Sequence, residues 1–124
     1  MYKLALLALA GSLGTLARYG LSGAVYALLG RDFPWGTSAV NVLGCLLFGM
    51  VWTLSDERML ISGEARTIIL VGFMGAFTTF SSLIFETDQL LRASQWLYAA
   101  LNLCGETVIG FAALWLGMVL ARLL

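Results

Sequence analysis

Two stretches of this chain hold no charged residue: Phe33 to Ser55, and Thr67 to Phe85. A helix needs about 20 apolar residues to cross a hydrocarbon core about 30 Å thick. Backbone in lipid must also satisfy its own hydrogen bonds, which a helix does. Both stretches therefore read as transmembrane helices. Two others are long enough but carry one interior charge each: Leu4 to Leu29 is interrupted by Arg18, and Ala93 to Ala121 by Glu106. The expectation is an all-α membrane protein with four spans at about 3–29, 34–55, 66–91 and 94–122, in a single domain covering 1–124. The predicted connections are Gly30-Arg31-Asp32-Phe33-Pro34, the polar segment from Asp56 to Ala65, and a tight turn near Arg92. Trp35, Trp52, Trp96 and Tyr98 fall near predicted span ends, where interfacial aromatics belong. The opening Met-Tyr-Lys and LALLALAG has the composition of a signal peptide. The apolar pattern runs on past Arg18 to a second, equally apolar span, so it is read as the first membrane helix.

Composition narrows the chemistry. The chain is 60% apolar and 11% charged, with seven basic and seven acidic residues and no His. Balanced charge leaves no electrostatic footprint for nucleic acid. Without His there is no Ser–His–Asp triad and no imidazole-ligated metal. Cys45 and Cys104 lie in apolar runs without the close spacing of a zinc site, and read as small core residues. Glu86, Asp88 and Glu106 are carboxylates, but nothing sets two of them around a substrate, so no enzyme is expected. Gly11, Gly14, Gly44, Gly49, Gly72, Gly75, Gly105 and Gly110 fall within spans, where small residues let helices approach closely.

The polar residues at membrane depth carry the functional signal. Arg18 and Glu106 each cost about 2.5–3.5 kcal/mol to insert, and such residues usually face a partner or a water-filled cavity. A purely structural Arg18–Glu106 pair is the plain alternative. Asn41 and Asn102 add amides, and Thr78, Thr79, Ser81 and Ser82 form a dense hydroxyl cluster in the third span. Helical spacing puts Asn102 and Glu106 on one face. The third span reads GFMGAFTTFSSLIFE, where glycines and a Thr-Thr pair weaken regular helix. A break at that depth frees carbonyls that can coordinate a small cation, beside hydroxyls and ring edges that suit an anion.

Lys3, Arg58, Arg66 and Arg122 lie on the N-terminal side of the bundle, and Arg31 and Arg92 on the other. This bias permits insertion both ways, hence an antiparallel homodimer, or a single orientation. Charge alone leaves the two open. Four helices enclose little interior, so a transport path calls for a second copy.

Three stretches now carry a resemblance. AGSLGTLARYG, PWGTSAVNVLGCLLFG and GFMGAFTTFSSLIFE follow in order within a four-span chain, and the last is the most specific. The chain resembles the CrcB/Fluc family of fluoride channels over essentially its full length. The resemblance implies passive, selective fluoride export through the cell (inner or plasma) membrane by a dual-topology antiparallel dimer with two pores. It implies a structural Na⁺ at the dimer centre, bound by backbone carbonyls that here fall at Gly75 and Thr78. It places Asn41 on the pore wall, Phe80 with its ring edge toward fluoride, Ser81 and Thr79 as hydroxyls beside it, and Arg18 near the pore entrance. Asn102 and Glu106 would lie along the polar track.

The chain departs from the family pattern at three positions. Leu83 stands where a second phenylalanine is usual, Ala76 where a glycine is usual, and Glu106 where a small polar residue is usual. An ionised Glu106 would repel fluoride, whereas a protonated one would donate a hydrogen bond. The expectation is therefore pH-dependent flux, or a chain that is one half of a heteromeric channel. A small four-span, dual-topology, proton-coupled antiporter is the rival reading; its essential glutamate sits in the first span, where this chain has Arg18. A holin-like structural subunit would account for size and composition, but not for the ordered Asn and Thr-Thr-Phe-Ser positions.

Overall fold

Four helices long and apolar enough to cross a membrane make up almost the whole chain, and there is no strand. The computed structural model describes residues 1–124. Helix α1 is Tyr2–Leu29, and α2 is Trp35–Asp56. The third span, Gly63–Arg92, is interrupted, giving α3 over 63–77 and α4 over Phe80–Arg92. The fourth span, Trp96–Leu123, is α5.

The predicted span limits hold within two residues, except at the start of the third span. That helix begins earlier, at Gly63, because the Ser62 side chain accepts a hydrogen bond from the Ala65 N–H at 3.2 Å and caps the first turn. The break lies at Thr78 and Thr79, both of which adopt extended backbone. Gly72 and Gly75 stay helical. Composition did not signal two wide-turned π segments, Ile68–Met74 in α3 and Leu101–Gly105 in α5. Such turns shift the facing of everything after them and cluster at functional sites.

Between α2, α3 and α1 lies a small apolar core of Val40, Leu70, Met74 and Phe77, flanked by Ala17, Leu21, Leu47, Val51, Ile69 and Phe73. Phe73 and Phe77 stack with centroids 5.6 Å apart. Helix α2 also runs closely along α5. A Cβ on Gly117 would strike the Leu46 carbonyl, and one on Gly49 would strike the Leu114 carbonyl. Each glycine thus seats the other helix's backbone, the contact that holds helices together where lipid offers no hydrophobic drive. Gly105, expected among the packing glycines, faces open space instead. At the membrane end, Arg122 clasps Glu57 through two hydrogen bonds of 2.7 and 2.8 Å. Those bonds hold the Glu57 carboxyl below its ordinary titration range.

Gly117→Val puts methyl groups against the Leu46 backbone and forces α2 and α5 apart. Overpacking of this kind costs about 1–3 kcal/mol. Thermal unfolding of the detergent-solubilised variant is expected to show a clearly lowered midpoint, and an unchanged midpoint would contradict the packing described.

Candidate functional site

A helix broken inside the membrane strands backbone hydrogen-bonding groups, and here one side chain takes them up. Asn41 on α2 reaches the break: its Oδ1 accepts from the Thr79 N–H at 2.8 Å, and its Nδ2 donates to the Thr79 carbonyl at 3.0 Å. In a continuous helix the Thr79 N–H would bond the Gly75 carbonyl. The Ser82 N–H would likewise bond Thr78, but it is captured at 3.3 Å by the Thr79 hydroxyl, which caps α4. Both diversions remove the regular helical donors of Gly75 and Thr78. Their carbonyl oxygens are hard donors, the type Na⁺ favours. The residues fit a small cation.

Gly44 lets α2 approach the break, since a Cβ there would strike the Thr78 methyl. One helical turn from Asn41, the Ser38 hydroxyl donates to Glu106 Oε2 at 2.9 Å, while Asn41 Nδ2 donates to Glu106 Oε1. Glu106 is buried, and its carboxyl is the hub joining α5 to α2. The chain's three ion pairs are Arg66–Asp56, Arg92–Asp88 and Arg122–Glu57. The Arg18–Glu106 pair weighed as a structural alternative is not formed, because Glu106 turns toward the donors of α2.

These groups border a groove of about 380 Å³. Of the residues predicted for the site, Asn41, Thr78, Thr79, Phe80, Leu83 and Glu106 line it, together with Thr107 and Phe111. The Phe80 ring is 73% exposed, far more than the interior of a finished pathway would allow. Ser81 is exposed beside it, 3.4 Å from the Thr79 hydroxyl. Arg18 is half-buried and does not border the groove.

Asn102 does not share a site with Glu106. It is fully buried against α4, donating to the Thr87 hydroxyl at 2.9 Å and to the Leu83 carbonyl at 3.4 Å, and its Oδ1 has no partner. The expectation of one face assumed α-helical spacing. The π segment Leu101–Gly105 widens the turn between the two residues, so Asn102 bonds α4 and Glu106 bonds α2.

Sequence reasoning passed over a second polar cluster. The Thr37 hydroxyl donates to Glu86 Oε1 at 2.7 Å, and the Tyr26 hydroxyl reaches the same oxygen at 3.4 Å. Glu86 borders a cavity of about 370 Å³ at the bundle end, with Arg31, Asp32, Gln89 and Gln95. The Arg31 guanidinium lies 4.7 Å from the centroid of the Tyr26 ring. Thr37 and Ser38 are neighbours in α2, so Glu86 and Glu106 hang from adjacent residues. The signal for Ser38 was its place three residues before Asn41, one turn along the same face.

The chain matches the family described as "CrcB-like protein, Camphor Resistance (CrcB)" over residues 5–118. It is similar to a protein of Solidesulfovibrio magneticus named fluoride-specific ion channel FluC, 59% identical over 122 residues and 98% of each chain. A Nitrosococcus oceani protein of the same name is 56% identical, again over 98% of each chain. One from Desulforapulum autotrophicum is 51% identical over 99% of this chain and 98% of its own.

Asn41→Ala would leave the Thr79 N–H and carbonyl without their partner. Each group left unpaired costs about 1–3 kcal/mol. The expected result is a large fall in thermal midpoint in detergent together with loss of ion flux; full stability with normal flux would show that the break does not depend on Asn41.

Proposed function

The chain belongs to the CrcB family, and from that premise we infer that it is a fluoride-specific ion channel, exporting fluoride passively and so lowering its concentration inside the cell. The observation that carries this reading is the break at Thr78 and Thr79, which turns the start of α4 into the groove beside Phe80. A helix start carries partial positive charge and unpaired N–H groups, which favour an anion. Fluoride is small and strongly hydrated, so its water must be replaced by donors that also let it go. The Ser81 hydroxyl and the positive edge of the Phe80 ring are of that type, while the Thr79 and Thr107 hydroxyls donate to Ser82 Oγ and the Leu103 carbonyl and would have to turn to reach the ion. Leu83 supplies apolar wall without a ring, so Phe80 acts there without a second aromatic. Arg31, just past the end of the first span, and Arg18, within it, supply positive charge for gathering anions.

The open groove and the exposed Phe80 support a second copy. An antiparallel homodimer would cover the ring, complete two pathways, and bring the Gly75 and Thr78 carbonyls of both copies to one axis. Na⁺ held by those carbonyls would neutralise their facing dipoles and fix the two breaks against each other. Such a dimer would lie in the cell inner or plasma membrane, in contact with its lipid. A chain that instead needs a paralogous partner would be inactive by itself.

Liposomes containing only this protein are expected to release fluoride down its gradient and chloride far more slowly. Equal rates for both anions, or a requirement for a proton gradient, would overturn the channel reading, while no flux at all would point to a missing partner chain. Reporter fusions and single-cysteine crosslinking are expected to find both orientations of the chain in one membrane. A single orientation would exclude the antiparallel dimer.

A further inference from the structure

Asn41 has two amide hydrogens, and both are used: one on the Thr79 carbonyl, the other on Glu106. The second carboxyl oxygen of Glu106 takes the Ser38 hydroxyl at 2.9 Å. No arginine or lysine is among its partners. Donors alone surround the carboxyl, and donors without a fixed cation are what a small dehydrating anion requires. The groove's one central amide is therefore already occupied by a carboxyl group belonging to the chain itself. We propose that the Glu106 carboxyl is a tethered anion that competes with fluoride for the Ser38 and Asn41 donors, so that fluoride advances only as the side chain leaves them.

The surroundings allow that exchange. Glu106 borders the groove of about 380 Å³, which has room for the displaced carboxyl. It directly follows the wide turn Leu101–Gly105, and nothing lies within 4 Å of a Cβ position on Gly105. The backbone holding Glu106 is thus unconfined on one side. In this arrangement Glu106 sets the fluoride concentration at which the channel fills, and excludes anions too weakly drawn to the donors to displace it.

This inference rests on the channel reading, and the same liposomes separate the two. Passive fluoride efflux is measured over a range of fluoride concentrations for the wild type, Glu106→Gln and Glu106→Ser, with protein-free liposomes giving the leak of HF. In both variants the half-saturating fluoride concentration is expected to fall by at least about tenfold. Gln keeps the size and hydrogen-bonding reach of Glu, so a merely structural role would leave Glu106→Gln at the wild-type value. Variants that elute normally on a sizing column with unchanged or raised half-saturation overturn the proposal while leaving the channel reading intact. If neither wild type nor variants pass fluoride, the reading of this chain as a channel on its own fails, and the proposal falls with it. A fluoride-minus-chloride infrared difference spectrum of the wild type guards against variants that do not fold. A shifted carboxylate band is expected as Glu106 exchanges its donors for water or the groove, and a flat carboxylate region overturns the proposal.

Discussion

Everything near the groove depends on one amide pairing with one peptide. Lipid supplies no water to an interrupted helix, so a break survives only where protein meets the freed groups. Asn41 meets both groups of Thr79 at once, as a neighbouring strand would, and sits on a different helix from the break it closes. The start of α4, the diverted carbonyls of Gly75 and Thr78, and the exposure of Phe80 all follow from that closure. Without it the least costly course for residues 63–92 is a continuous helix, which would bury the same polar groups in their own ladder.

The bundle around this point holds two close helix pairs, α2 with α5 and α1 with α3, where a Cβ on Gly14 would strike the Phe73 carbonyl. Helices α2 and α5 meet backbone to backbone at Gly49 and Gly117, so their relative position is fixed by covalent atoms, with no flexible side chain between them. Helix α1 presents mostly exposed apolar side chains, which suits contact with lipid. The donors that matter, Ser38 and Asn41, stand on α2, and Glu106 reaches them from its close partner α5. Placing two carboxyls, Glu86 and Glu106, beside a path suited to anions works against simple electrostatic attraction. Their hydrogen bonds to Thr37, Tyr26, Ser38 and Asn41 show how this chain accommodates that conflict: each charge is given donors of its own.

Span positions were legible because the absence of charge over about 20 residues has no competing explanation in a chain this apolar. The break was legible in kind from the Thr-Thr pair, but its position was not, since Gly72 and Gly75 are as poor in helix as threonine and yet remain helical. Asn41, Thr79, Phe80 and Glu106 were legible as site residues from their polarity or motif, and the groove does gather them. The separation of Asn102 from Glu106 was not legible, because α-helical arithmetic cannot foresee a π segment. Ser38, Thr37 and Tyr26 were missed because a hydroxyl in a membrane helix most often bonds its own backbone, as Ser12 and Thr15 do here. Only the third dimension distinguishes the two uses.

A π turn is an α-helix carrying one residue too many, and that surplus gives the fourth span an unusual genetic tolerance. Deleting a residue from an ordinary membrane helix rotates everything beyond it by roughly 100°, turning lipid-facing side chains inward. A deletion within Leu101–Gly105 would let the wide turn relax to regular helix, with the adjustment confined to that turn. The span can therefore lose a codon where its neighbour α2 cannot. Deleting a residue between Asn102 and Glu106 would leave them three apart on one α-helical face, so a single-residue length change would draw two separate polar networks together while the membrane-facing surface stayed in place.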